Sequence, residues 1–316
     1  LILSGGISRL QDVQTMHKKA TPRVGGVAIY AALLLGGLLV PPEITQVYCG
    51  VLAATFILFS VGLCEDLGFT VTPRARLLTM ALASLTLIAL TGIWIPRIGT
   101  PVLDAAISHW AIGIPFTLFV TTAVTNGFNL IDGVNGLSSS TAVIGAIALA
   151  GISTAAGVMD LAYVAIAFSV AILGFSLLNF PLGLIFLGDA GAYSIGFFLS
   201  WMGIIALDRI PDLSPWAVLL VMFWPLLDTM LAIYRRFVGA KDHMAPDRLH
   251  VHQLVMRALE LIFFGKDSRR ITNPLTTVIL LPFVAMPAVA GVVLWDKNLW
   301  STLAALVFIL LFWASY

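Results

Sequence analysis

A chain of 316 residues that is 59% hydrophobic and only 10% charged, with mean hydropathy +1.01, is not a water-soluble globular domain, where about 25% charged residues is usual. Apolar runs of about 20 residues recur, the length that crosses a bilayer as a helix, so the fold class read is all-α and polytopic in a membrane; an outer-membrane barrel would alternate instead. The net charge of +1 and two cysteines, Cys49 and Cys64, suggest neither a nucleic-acid partner nor a disulfide framework, and both thiols are expected to be reduced and buried.

The apolar runs predict ten spans in one transmembrane domain covering 1–316: about 24–40, 47–64, 75–94, 110–126, 137–157, 161–179, 190–207, 214–234, 274–295 and 299–315. No cleavable signal sequence is recognisable at Leu1–Gly6. The connections at 1–23, 65–74, 127–136, 180–189 and 235–273, with Arg76 counted beside its loop, hold fourteen of the seventeen Lys and Arg; the opposite set holds only Arg97, Arg209 and Lys297. This asymmetry puts the first set in the cytoplasm. Trp94, Trp110, Trp216, Trp295 and Trp300 fall at the outer ends of spans, as an interfacial belt does.

Each cytoplasmic connection carries a polar cluster. The first, HKKATPRVGG at 17–26, sets Lys18, Lys19 and Arg23 beside a glycine-rich helix start; it reads as a positive-inside anchor or as an anion site. The second, CEDLGFTVTPRARLL at 64–78, pairs Glu65 and Asp66 ahead of Arg74 and Arg76. Adjacent carboxylates repel, so either one has a raised pKa or a cation lies near.

The third, NGFNLIDGVNG at 126–136, repeats a polar residue every third position: Asn126, Asn129, Asp132 and Asn135. That spacing keeps Asn129, Asp132 and Asn135 near one side of a helix or unwound turn. Their hard oxygen donors suit Mg²⁺, and the interleaved glycines let backbone approach a phosphate or a base. The fourth, NFPLGLIFLGDAG at 179–191, leaves Asp189 alone at the mouth of a span, where it reads as a functional acid or a helix cap. The fifth, HMAPDRLHVHQL at 243–254, sets His250 and His252 after Asp247 and Arg248. No cysteine completes a transition-metal site there, whereas imidazoles and an arginine clasp a pyrophosphate. Acids for Mg²⁺ beside cations for phosphate, on one membrane face, are the parts of a phosphoryl transfer to a lipid.

In order, these motifs are P-x-x-G-G, an acid pair ending in Asp66, N-x-x-D-G-x-N-G-L, F-x-G-D and a basic loop with H-x-H. The sequence thereby resembles the polyprenyl-phosphate N-acetylhexosamine-1-phosphate transferases of glycosyltransferase family 4, over about 17–257. It is nearest the branch that moves GlcNAc-1-phosphate to undecaprenyl phosphate. Members of that branch carry eleven helices, so one helix ahead of the ten is expected.

The resemblance implies a Mg²⁺-dependent enzyme of the bacterial inner membrane, with Mn²⁺ as a substitute. It would transfer HexNAc-1-phosphate, by default GlcNAc-1-phosphate, from a UDP-sugar to undecaprenyl phosphate and release UMP, the first membrane step of a cell-surface polysaccharide. Partners are the UDP-HexNAc donor, the polyprenyl phosphate acceptor and membrane lipid; a homodimer is compatible with it. Among the matched positions, Asp189 and Asn129 would hold the metal. Asp66, with Glu65, would orient or deprotonate the lipid phosphate. Asp132 and Asn135 would line the nucleotide site, and Phe186 and Asn179 would stack on and hydrogen-bond uracil. Arg248, His250 and His252 would close over the sugar pyrophosphate, and Lys18 would add a basic contact. Asp66, Glu65, Asp132, Asp189, His250 and His252 are thus the implied catalytic set; Lys18, Asn135, Asn179, Phe186 and Arg248 bind substrate. Direct attack and a covalent intermediate both remain open. The departures from the family pattern, Glu65, Asn135 and Gln253, bear on sugar or nucleotide preference rather than on the reaction.

Two rivals are weaker. A secondary transporter would concentrate polar residues at mid-membrane on paired repeats, yet only Asp228 sits within a span. An intramembrane aspartyl protease would need Gly-x-Gly-Asp, where this chain has Phe186-Leu187-Gly188-Asp189.

Overall fold

The apolar runs become helices in the computed structural model, which describes residues 21–238, 250–265 and 268–316. Thirteen α-helices form among those residues: α1 Gly25–Gly36, α2 Pro42–Asp66, α3 Pro73–Thr91, α4 Pro101–Ser108, α5 Trp110–Leu130, α6 Leu137–Ala155, α7 Met159–Asn179, α8 Gly188–Arg209, α9 Pro215–Val221, α10 Phe223–Val238, α11 Val251–Leu259, α12 Arg269–Val293 and α13 Asn298–Ser315. Proline opens α2, α3, α4 and α9, where its missing N–H costs no hydrogen bond. Thr72 caps α3, its Oγ1 accepting from the Ala75 N–H at 3.2 Å.

Eight of these helices are long and apolar enough to cross a membrane, or nine if α9 and α10 count as one span. The helices differ from the ten expected spans at two places. The run at 24–40 gives a helix of 12 residues and a 3₁₀ turn, Gly37–Leu39. Paired glycines 36 and 37 weaken its end, and Val40, extended at ψ 135°, obeys the restriction that Pro41 imposes on its predecessor. The run at 214–234 breaks at Met222 and bends by 84°. Pro225 lacks an N–H, and its ring crowds the carbonyl of Val221, the last residue of α9. Cys49 and Cys64 are free but exposed on α2, not buried as expected, because an apolar run in a membrane protein has an outward face as well as a packed one.

α8 is the axis. It is buried from Ala190 to Leu207, with α1, α2, α5, α6, α7 and α9 packed around it. Small residues permit this approach, as packing between membrane helices requires. A side chain at Gly26 would strike the backbone of Ala190 and Gly191, and one at Gly62 the backbone of Asp189 and Ala190. α1 and α2 therefore grip the first turn of α8. Arg97 closes its other end, donating to the carbonyls of Leu207, Ile210 and Leu213 at 2.7–2.8 Å, a cation at the negative end of the helix dipole.

Candidate functional site

Asp66, the last residue of α2, points both carboxylate oxygens at the start of α8: Oδ1 accepts the N–H of Asp189 and Oδ2 that of Ala190, each at 3.0 Å. Gly188 makes this possible. Its φ of +75° is a conformation that L side chains rarely adopt, and a Cβ there would lie 2.5 Å from Asp66 Oδ2. Asp66 thus satisfies two of the four orphan donors of a buried helix end, and it is only 2% exposed.

Asp189 turns its side chain the other way. Its Oδ1 accepts from the Asn129 amide at 2.6 Å, and its Oδ2 lies 3.7 Å from Arg23 Nη1, which is also 3.7 Å from Asp66 Oδ1. Glu65 does not join this group of contacts. It accepts from Arg76 Nε at 2.6 Å and from the Tyr193 hydroxyl at 3.1 Å.

The third cluster does not stay on one side. α5 ends at Leu130 and the chain turns, so Asn129, Asp132 and Asn135 part company. Asp132 remains near Asp189; burial, then the Asp189 charge, push its carboxyl well above the usual range, with Arg23 opposing. Asn135 faces α12: its N–H donates to Asn273 Oδ1 at 2.8 Å, and its carbonyl accepts from Thr277 Oγ1 at 2.7 Å. Its amide donates to the Pro181 carbonyl at 3.0 Å. Asn179 fastens the same turn from the other side. Its Oδ1 accepts the Gly136 N–H at 2.7 Å, while its Nδ2 donates to the Ile185 carbonyl at 2.8 Å. Phe186 is half-buried and pairs by backbone with Pro22 and Gly25.

His250 Nδ1 lies 2.7 Å from Asp228 Oδ2, so the acid within the bent α9–α10 segment holds the histidine loop. The His250 and His252 rings stack at 5.9 Å. His252 is buried, with its Nε2 against Gly133, where any Cβ would collide with it. Burial pushes its imidazole down to about 4; His250 adds to this and Asp228 opposes it. Lys18 and Arg248 lie outside the described residues.

Sequence reasoning found the clusters and set Arg76 beside the acid pair, but it missed Tyr193 for Glu65, Asp228 for His250, and Asn273 and Thr277 for Asn135. Of these missed partners only Asp228 carried a signal, as the lone acid within an apolar run.

A hard divalent cation fits this site. Asp189 is partly exposed, at 20%, and Asn129 stands beside it. Mg²⁺ is commonly held by one or two carboxylates, with water and substrate phosphate completing its shell. No group of three or more His, Cys, Asp or Glu placed to hold a metal ion occurs among the described residues, so a cation here would rest on one or two carboxylates with an amide, water and substrate oxygens. Asn129 donates its amide N–H₂ to Asp189 here, so joint ligation needs the amide turned to present its oxygen.

The family model described as Glycosyl transferase family 4 matches residues 48–207, which include Asp66, Asn129, Asp132 and Asp189. Several curated proteins are similar along most of the chain. One from Bacillus subtilis, named a probable undecaprenyl-phosphate N-acetylglucosaminyl 1-phosphate transferase, is 27% identical over 94% of this chain and 80% of its own length. The undecaprenyl-phosphate alpha-N-acetylglucosaminyl 1-phosphate transferase of Yersinia pestis is 29% identical over 80% of this chain and 70% of its own. The decaprenyl-phosphate N-acetylglucosaminephosphotransferase of Mycobacterium tuberculosis is 29% identical over 88% and 80%.

Proposed function

The chain belongs to glycosyl transferase family 4, and from this we propose that it transfers GlcNAc-1-phosphate from UDP-GlcNAc to a polyprenyl phosphate, releasing UMP. The relatives named above carry N-acetylglucosaminyl 1-phosphate or N-acetylglucosaminephosphate transfer and undecaprenyl or decaprenyl phosphate in their names; the UDP-sugar donor and UMP product are this reading's own. The observation that carries the reading is the meeting of Asp66, Asp189, Asn129 and Arg23 at one end of a buried helix. A transporter gains nothing from polar groups gathered there. The bias of Lys and Arg toward that end supports a cytoplasmic site in a bacterial inner membrane.

In the reaction, an oxygen of the acceptor phosphate attacks the β-phosphorus of the UDP-sugar. The bond between that phosphorus and the bridging oxygen breaks, and UMP leaves. Mg²⁺, or Mn²⁺ in its place, would be held by Asp189 and Asn129 and would neutralise pyrophosphate charge. A phosphate monoester has a second pKa of about 6, so the acceptor is largely a dianion at neutral pH and needs no strong base. Asp66, with both oxygens on backbone N–H groups, is better suited to fixing Asp189 than to moving a proton. Asp132 extends the acidic wall beside Asp189. Asp228 orients His250 through Nδ1, leaving Nε2 for the donor phosphates. Asn179 and Asn135 hold the turn at 131–136 in shape.

The test is UMP release from a panel of UDP-HexNAc donors, with and without undecaprenyl phosphate and Mg²⁺. Lipid- and metal-dependent release from UDP-GlcNAc, lost in Asp189→Asn, is expected. Folded wild-type protein that releases UMP from none of the donors would remove the reading.

A further inference from the structure

Arg23 is a charged residue at this site to which the reading above gives no task. It sits just ahead of α1 on a segment paired with the loop that leads into Asp189. The Phe186 N–H donates to the Pro22 carbonyl, the Gly25 N–H to the Phe186 carbonyl and the Gly26 N–H to the Leu187 carbonyl, all at 2.9 Å. One stretch of backbone thus carries Arg23, its partner carries Asp189, and the two hold a fixed relation. The guanidinium stands between Asp66 and Asp189, 3.7 Å from an oxygen of each. That is ion-pair range but longer than a hydrogen bond, so Arg23 answers both charges and grips neither.

The carboxylates are engaged elsewhere. Both oxygens of Asp66 accept backbone N–H groups, and Oδ1 of Asp189 accepts from Asn129. The Arg23 side chain is 33% exposed, which leaves it room to turn. Its planar fork of donors matches a phosphate better than a single carboxylate oxygen.

We infer that Arg23 is a phosphate-binding residue that shares Asp189 with the divalent cation: it balances the two carboxylates while no cation is bound, and turns to a substrate phosphate once one is. The inference rests on the transferase reading for the identity of that phosphate, which belongs to the UDP-sugar or to the lipid acceptor. The linkage is reciprocal: a cation on Asp189 releases Arg23, and removing the guanidinium favours the cation.

The experiment compares wild type, Arg23→Gln and Arg23→Lys, full chain, in detergent. Mn²⁺ binding is read by the electron paramagnetic resonance of free Mn²⁺, with no turnover required. KM is measured separately for UDP-GlcNAc and for undecaprenyl phosphate, and thermal stability is followed alongside. Arg23→Gln is expected to bind Mn²⁺ about fivefold or more tighter. It is also expected to raise one KM by about ten- to a hundredfold, the scale of a lost charged hydrogen bond; which KM rises identifies the phosphate. Arg23→Lys keeps the charge and is expected to leave Mn²⁺ affinity near wild type with a smaller rise in the same KM. Unchanged Mn²⁺ affinity and unchanged KM values in Arg23→Gln would overturn the inference, as would weaker Mn²⁺ binding accompanied by lost thermal stability. If Arg23→Gln does not fold, an unchanged KM in Arg23→Lys overturns it. Wild-type protein that releases no UMP refutes the transferase reading instead, and the Mn²⁺ arm still judges Arg23.

Discussion

The backbone N–H of Asp189 donates to Oδ1 of Asp66 at 3.0 Å, so the acid that ends one helix caps the helix that begins beside the other acid. Capping and proton transfer make different demands on residue 66. Asn and Ser each keep one acceptor for the two N–H groups that Asp66 holds and are not bases, whereas Ala keeps no acceptor. Asp66→Asn and Asp66→Ser are expected to keep kcat within about tenfold of wild type. Asp66→Ala is expected to lose more activity and about 0.5–2 kcal/mol of stability, the usual cost of a lost cap. Equal, complete inactivation of all three variants at unchanged Tm would instead assign Asp66 to proton transfer.

Glu65 is held by Arg76 and Tyr193. Removing Arg76 leaves a buried carboxylate with only the Tyr193 hydroxyl as partner, whereas Glu65→Gln keeps hydrogen bonding without the charge. Arg76→Met is therefore expected to destabilise the fold more than Glu65→Gln, by a difference of about 1–3 kcal/mol. This falls below the roughly 3–5 kcal/mol of a fully buried pair, because the Arg76 side chain is 38% exposed. Thermal unfolding in detergent checks the order. A Glu65→Gln variant that is fully stable and inactive would return Glu65 to the chemistry.

The glycines along the axis divide sharply. At Gly26 and Gly62 an added Cβ meets backbone, which cannot swing aside, while at Gly174 on α7 it meets nothing within 4 Å. Gly26→Ala and Gly62→Ala are expected to abolish activity or folded yield. Gly174→Ala is expected to be neutral or to gain up to about 1 kcal/mol, the helix preference of Ala over Gly. Yield of monodisperse protein and UMP release measure both.

His252 ties stability to pH. Its folded value of about 4 lies below the usual 6.5, so between those values the unfolded chain binds more protons than the folded one. Stability is then full above about pH 6.5 and falls as pH is lowered toward 4. Tm is expected to drop between pH 7.5 and 5, with a flatter slope in His252→Phe. An unchanged slope in that variant would place the acid sensitivity in another group.

Hydropathy marked most helices because a bilayer requires long apolar runs. It missed the break at Met222 because Pro225 acts on backbone geometry while leaving the run apolar. Similarly, the polar clusters stood out as islands in apolar sequence, but their contacts did not. Spacing reports on neighbours within one helix, and Asn135 leaves its helix before spacing applies. Asp66 meets Asp189, 123 residues on, through the packing of α2 on α8. His250 meets Asp228 only after α10 bends. These pairings depend on which helices touch, and that is set by packing spread over the whole bundle.

The enclosure of α8 has a consequence for how the protein is made and how it drifts. α8 is translated after five of the six helices packed around it, yet its final surroundings contain almost no lipid. It must leave the bilayer for a slot formed by α1, α2, α5, α6 and α7, so the site at its tip is completed late in biogenesis, when α8 docks. α13, with only 17% of its apolar window buried, faces mostly acyl chains and accepts almost any apolar side chain. Random substitutions that keep hydropathy should accumulate freely along α13 and be purged along α8, which makes the yield of folded protein across the two helices a direct measure of how much of each is specified by protein rather than by lipid.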